Sequence, residues 1–160
     1  MDHILIKLDG IKGESKLAKE EIEVLSYSHG VSMPVTHSIS GAQRTSGRCV
    51  MQDFTFTKHV DITTPVFNKK CAAGENVKTV TMRHMRVSAD GKEALPLITY
   101  KFDDALITSV SVGGGSSDQP VETITFNFAK ITWTYGAQGR DATKKGQAEG
   151  SYDVETNKVA

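Results

Sequence analysis

Residues 121–136, VETITFNFAKITWTYG, form the longest strand-forming run of the chain, with no proline and no internal glycine. The first half alternates. Ile124, Phe126 and Phe128 share one face, and Thr123, Thr125 and Asn127 share the other, the period-2 mark of a half-buried strand. At Ala129 and Lys130 the phase slips, and the apolar set becomes Ile131, Trp133 and Tyr135. A slip of one residue sends later side chains to the opposite face unless a bulge absorbs it. A long bent strand of this kind suits a barrel corner, where one strand serves two sheets.

Further strands are expected at 3–8, 22–29, 49–59, 76–87, 93–102 and 105–112, with Val50, Phe54 and Phe56 on one face of the third and Gln52 and Lys58 sharing it toward the ends. Asp103-Asp104 reads as a turn between the last two. One helix is expected in PVFNKKCAA: Thr63 or Thr64 can cap it, Pro65 fits its first turn and Gly74 closes it. The pattern predicts a single, mainly β domain over residues 1–160, an antiparallel β-barrel of two sheets with one short flanking α-helix.

Two segments depart from the barrel pattern. Residues 30–48 read as a long extended arm, rich in Ser, Thr and Gly. Val31, Met33, Val35 and Ile39 still fall on one parity, broken only by His37, and Pro34 rules out a central strand. That apolar edge either lies on a neighbouring subunit or folds back on its own barrel. Residues 137–150 hold no aromatic and no branched aliphatic residue and are expected to be mobile.

Charge and composition narrow the function. Lys plus Arg and Asp plus Glu both number 19. No basic surplus supports nucleic acid, and no asymmetry or apolar stretch supports membrane insertion. The N-terminus is not a secretory signal. Cys49 and Cys71 make no disulfide framework and are expected as reduced, buried thiols. The five histidines are scattered without zinc spacing, and no phosphate loop or Gly-x-Ser-x-Gly elbow is present. No catalytic residue, metal or cofactor is expected.

Several segments together resemble a known family. LIKLDGIKGES, EIEVLSYSHGVS, DFTFTKHVD, PVFNKKCAAG, ITSVSVGG, FNFAKITWTY and SYDVETNK are similar to the Hcp proteins, tube subunits of bacterial type VI secretion. The resemblance spans nearly the whole chain. It implies a β-barrel with a flanking helix, no enzymatic activity, and hexameric rings stacked into a tube within a contractile sheath. It implies expulsion with a spike protein, effectors in the lumen, and export from the bacterial cytoplasm without a cleaved signal peptide. The aromatic pair around the family's second-strand serine is Tyr27 and His29 here.

Site expectations follow from the patterns of the arm, the second strand and the exposed loops, with the resemblance adding to Ser28. Val31, Met33, Val35 and Ile39 would bury against the adjacent protomer. Ser26 and Ser28 would face the lumen and touch effectors, unless they sit at a fraying strand end. Asp90, Lys92, Ser116 and Asp118, in two exposed loops, would meet the next ring. A monomeric β-barrel binding carbohydrate through Tyr27, Trp133 and Tyr135 is the competing reading.

Overall fold

A computed structural model describes residues 2–37, 44–87, 94–138 and 144–160. The chain opens with β1 (His3–Leu8), β2 (Ile22–Glu23) and β3 (Ser26–Ser28). A hairpin arm follows, β4 (Val31–Ser32), β5 (Val35–His37), β6 (Arg44–Ser46) and β7 (Val50–Met51). Then come β8 (Phe54–His59), α1 (Thr64–Ala73), β9 (Asn76–Val87), β10 (Ala94–Gly113), β11 (Val121–Gln138), β12 (Lys144–Asp153) and β13 (Lys158–Val159). The chain is mainly β, as the alternation predicts.

Pairing is antiparallel throughout and runs β13-β12-β11-β10-β9-β1-β2, with β8 joining β11 to β3. The segment expected as one strand at 22–29 is split in use. Its first half pairs with β1 and its second with β8. Val24 N–H donates to Ile4 O at 2.9 Å, and the next residue, Leu25, to Thr57 O at 2.8 Å. The path therefore returns to β1. Likewise β11 pairs with β8 through residues 121–126 and with β12 from Lys130 onward, so one strand serves two sheets.

The phase slip is a corner shared by three strands. Buried positions change parity between Val77 and Val80 on β9, Phe102 and Ala105 on β10, and Phe128 and Ile131 on β11. Asp104 takes the left-handed conformation there, φ 53°, and Asn76 Nδ2 donates to its Oδ1 at 2.9 Å. The expected turn at Asp103-Asp104 is thus a bend inside a single 20-residue strand. A second irregularity, between Ile107 and Ser109, shifts the β10–β11 register.

The core packs Phe54, Phe56, Phe102 and Phe126 with Ile6, Ile22, Met82, Ile124 and Ile131, each at most 1% exposed. Phe102 lies 4.8–4.9 Å from the ring centroids of Phe54, Phe126 and Phe128. Trp133 packs against this cluster from its margin, half-buried. Both cysteines are free and half-buried rather than buried. Val50 leaves the parity expected for it and is exposed, because it belongs to the arm.

Helix α1 forms where its punctuation predicts. Pro65 stands in the first turn, and Gly74 closes the helix at φ 65°, its N–H on Cys71 O and that of Glu75 on Lys70 O. The cap differs from expectation. Thr63 holds the cap position, but its hydroxyl donates to Asp61 Oδ1 and not to the helix. Phe67, the helix's fully buried side chain, meets Phe56 at 6.1 Å. Residues 144–150, expected as part of a mobile stretch, are paired backbone: β12 runs alongside β11 from Lys144 to Asp153.

Candidate functional site

The outward face of β3, β8, β11 and β10 is a lattice of hydroxyls. Directly opposed residues in a sheet share a face. One row reads Ser26, Thr57, Thr123, Ser111 across the four strands, and the next reads Ser28, Thr55, Thr125, Ser109. Ser26 Oγ and Thr57 Oγ1 share a hydrogen bond at 2.6 Å, and Thr55 Oγ1 and Thr125 Oγ1 another at 3.1 Å. Thr108 adds a bond to Thr125 O at 3.2 Å. Neither row carries a charge. The first polar step beyond the second row is Asn127 Nδ2 donating to Asp53 Oδ1 at 2.9 Å.

The alternation that builds this face also builds the core. Thr55, Thr57, Thr123 and Thr125 alternate with Phe54, Phe56, Ile124 and Phe126, so burial of the aromatic set forces the hydroxyl set outward. Ser26 and Ser28 stand exposed in a paired strand, not at a frayed end. The opposite sheet has another chemistry outside. There Lys7, Thr81, Lys101, Thr132 and Ser151 form one row and Asp103, Lys130 and Asp153 the next.

Beneath the lattice, the inward side chains of β3 meet an aromatic cluster. Tyr27 stacks on Phe54 at 5.9 Å and 12°, and its hydroxyl lies 3.1 Å from His84 Nδ1. His84 Nε2 in turn stands 3.4 Å from Asp2 Oδ2. Burial, and then Tyr100, raise the Tyr27 phenol above its ordinary value. A sugar platform built on Tyr27, Trp133 and Tyr135 finds little support here. Tyr27 spends its face on Phe54 and its hydroxyl on His84, leaving Tyr135 as the exposed ring of the three.

The arm leaves the barrel directly after β3. It is two short ladders in line, β4 on β7 and β5 on β6, bridged by Gly47 N–H on Pro34 O at 2.9 Å. Val31, Met33 and Val35 are 51%, 49% and 43% exposed, and Val50 beside Ser32 is 53% exposed. The barrel that carries this apolar edge does not cover it. Ser116 and Asp118 stand exposed in the loop between β10 and β11. Ile39, Asp90 and Lys92 lie outside the described residues.

Among the described residues, no group of three or more His, Cys, Asp or Glu side chains is arranged to hold a metal ion. No described helix is long and apolar enough to cross a membrane. Sequence reasoning singled out Ser26 and Ser28 and put Thr123 and Thr125 on one face of β11, but did not join them to each other or to the hydroxyls of β8 and β10. The signal was the alternation in FTFTK, ETITF and SVS, which means little until the strand register sets these hydroxyls side by side.

Comparison with known proteins defines the class. Residues 5–135 match the family described as type VI secretion system effector, Hcp. Protein hcp1 of Pseudomonas aeruginosa is 33% identical over 146 residues, covering 89% of this chain and 88% of that protein. A solved structure of a type six secretion system protein superposes with a TM-score of 0.91 at 27% identity, covering both chains fully. Hcp1 from Salmonella typhimurium gives 0.80 at 27% identity, covering 99% of each chain. The chain belongs to the Hcp family, secreted tube proteins of type VI secretion.

Proposed function

We propose that this chain is a structural subunit of the type VI secretion inner tube, without enzymatic activity of its own. Copies join through the arm into a hexameric ring. Rings stack into a tube within a contractile sheath, and the tube is expelled with a spike protein at its tip. Effectors travel in the lumen, against the hydroxyl lattice. The chain is made in the bacterial cytoplasm and exported without a cleaved signal peptide.

The observation that carries this reading is the uncovered apolar edge of Val31, Met33 and Val35 on an arm whose strands pair only with each other. Burying such side chains is worth about 1.5–3 kcal/mol each. Identical head-to-tail contacts close a ring when the rotation between copies allows it. The two outer faces support the polarity of that ring. Uncharged hydroxyls suit a passage that neither repels nor grips its cargo, and a face of mixed charge suits the outside.

Multi-angle light scattering on the purified chain tests the reading. A hexamer is expected. A strict monomer across the working concentration range overturns it and favours the binding module.

A further inference from the structure

His29 stands where the barrel ends and the arm begins, between Ser28 of β3 and Val31 of β4. Its imidazole is enclosed by rings from three other strands. Phe128 lies 5.7 Å away between centroids, and Phe54 and Tyr100 lie 6.2 Å away. Both ring nitrogens are buried, and neither makes a hydrogen bond among the described residues. The arm's returning chain closes the same place from the other side. Gln52 N–H donates to Gly30 O at 2.9 Å, and its Oε1 lies 2.8 Å from where a Cβ on Gly30 would stand.

A neutral imidazole fits this box as an aromatic ring, at the cost of unmade hydrogen bonds. A charged one has two buried N–H donors, neither of which makes a full hydrogen bond. Attraction of a cation to aromatic faces and the Gln52 backbone beside the ring offset part of that penalty, but neither nitrogen has a full hydrogen bond. The surrounding titratable groups do not compensate. Tyr100 is in direct contact, and burial raises its phenol, so it stays neutral. Tyr27, on the same strand, is raised too and engages His84, which is linked to Asp2. Asp53 is held by Asn127 on the outer face.

We infer that His29 is a proton-operated latch on the arm. Neutral, it fills the aromatic box and holds the arm's base against the barrel; protonated, it leaves the box and frees that base. Burial lowers the imidazole below its ordinary value and outweighs the Gln52 backbone, which favours the charged form. The folded state therefore disfavours the proton. The latch is fully closed above the ordinary imidazole value of about 6.5 and weakens as pH falls below it. The consequence for assembly rests on the arm being the joint between subunits; the latch itself does not.

Hydrogen exchange at the Gln52 amide of the full chain reads the latch directly, and light scattering at the same pH values reads assembly. Between about pH 7.5 and about pH 5, the wild-type opening constant, corrected for intrinsic exchange, should rise by up to roughly tenfold per pH unit below the ordinary value. In His29→Phe, which fills the box without titrating, it should stay flat. An equal rise in both proteins, or none in the wild type, overturns the latch. A wild-type ring that persists while Gln52 opens upholds the latch and overturns the arm as the joint. Where His29→Phe does not fold, NMR titration of the wild-type His29 ring decides. A midpoint below about 6.5 upholds the latch, and one at or above it overturns it.

Discussion

The Lys58 ammonium meets the Glu122 carboxylate with both side chains fully buried. The two residues close the end of the barrel on which α1 docks. Lys58 also reaches Asp61 Oδ1 at 2.8 Å and His59 O at 3.1 Å, and Thr64 donates to Glu122 Oε1 at 3.0 Å from the first residue of the helix. Burial alone would raise Asp61, but its hydrogen bonds from Lys58 and Thr63 hold it below the ordinary carboxylate value. The cluster thus ties β8, β11 and the start of the helix to one another.

Removing one partner of such a pair leaves an uncompensated charge in the core. Lys58→Met should cost about 3–5 kcal/mol in chemical denaturation. Adding Glu122→Leu should recover much of that loss, because the stranded carboxylate is then gone. A single variant within about 1 kcal/mol of wild type would show that the pair is more hydrated than its burial implies.

If the arm is the joint, substitutions on its exposed edge should separate folding from assembly. Met33 and Val35 are exposed in the single chain, so replacing both with Asp should change the stability of the monomer by no more than about 0.5 kcal/mol per site. Assembly should suffer far more, because each copy would bury two charges at its joint. Size exclusion should then show a folded monomer. Elution as an intact ring would sink the assignment of the joint.

Stacking needs a heterologous contact that repeats along the tube axis. Ser116 and Asp118 lie in an exposed loop whose neighbours Gly113 and Gly115 have nothing within 4 Å of an added Cβ. Deleting residues 114–117 should leave the ring intact by light scattering and reduce tube length in electron micrographs. Tubes of normal length would remove this loop from the stacking contact.

Local alternation carried most of the fold. The parity of Ile124, Phe126 and Phe128, and its slip before Ile131, were legible because each depends on one strand alone. Parity even marked Lys58 as inward, although its partner Glu122 lies far along the chain. What local pattern could not supply was pairing. Asp103-Asp104 reads as a turn because period-2 reasoning breaks there; in three dimensions the same break recurs on β9 and β11, and the strand bends instead of ending. Residues 22–29 read as one strand because nothing in IEVLSYSH shows that its halves have different partners. The hydroxyl lattice and the His29 box are products of register among strands distant in sequence, so single residues of each were visible and the assemblies were not.

The lattice sets the last expectation. Ser28 is exposed, stands opposite Thr55, and shares a row with Thr125 and Ser109. If that row lines the lumen, a ring presents it six times at one level, and a longer side chain there narrows the passage from every side. Ser28→Gln keeps the row neutral but lengthens it; Ser28→Arg adds a charge to a row that has none. Neither should disturb folding by more than about 0.5 kcal/mol, since the side chain meets solvent. Each neutral hydrogen bond lost to cargo is worth about 1 kcal/mol, or roughly fivefold in retention per contact. Co-production with an effector from the same secretion cluster, followed by purification of the ring, measures that retention. The ring should persist in both variants while bound effector falls, more steeply for Arg than for Gln if the cargo surface is neutral. Undiminished effector on an intact Ser28→Arg ring would mean that this face of β3 points away from the lumen, and the mixed-charge face of the opposite sheet would then take its place.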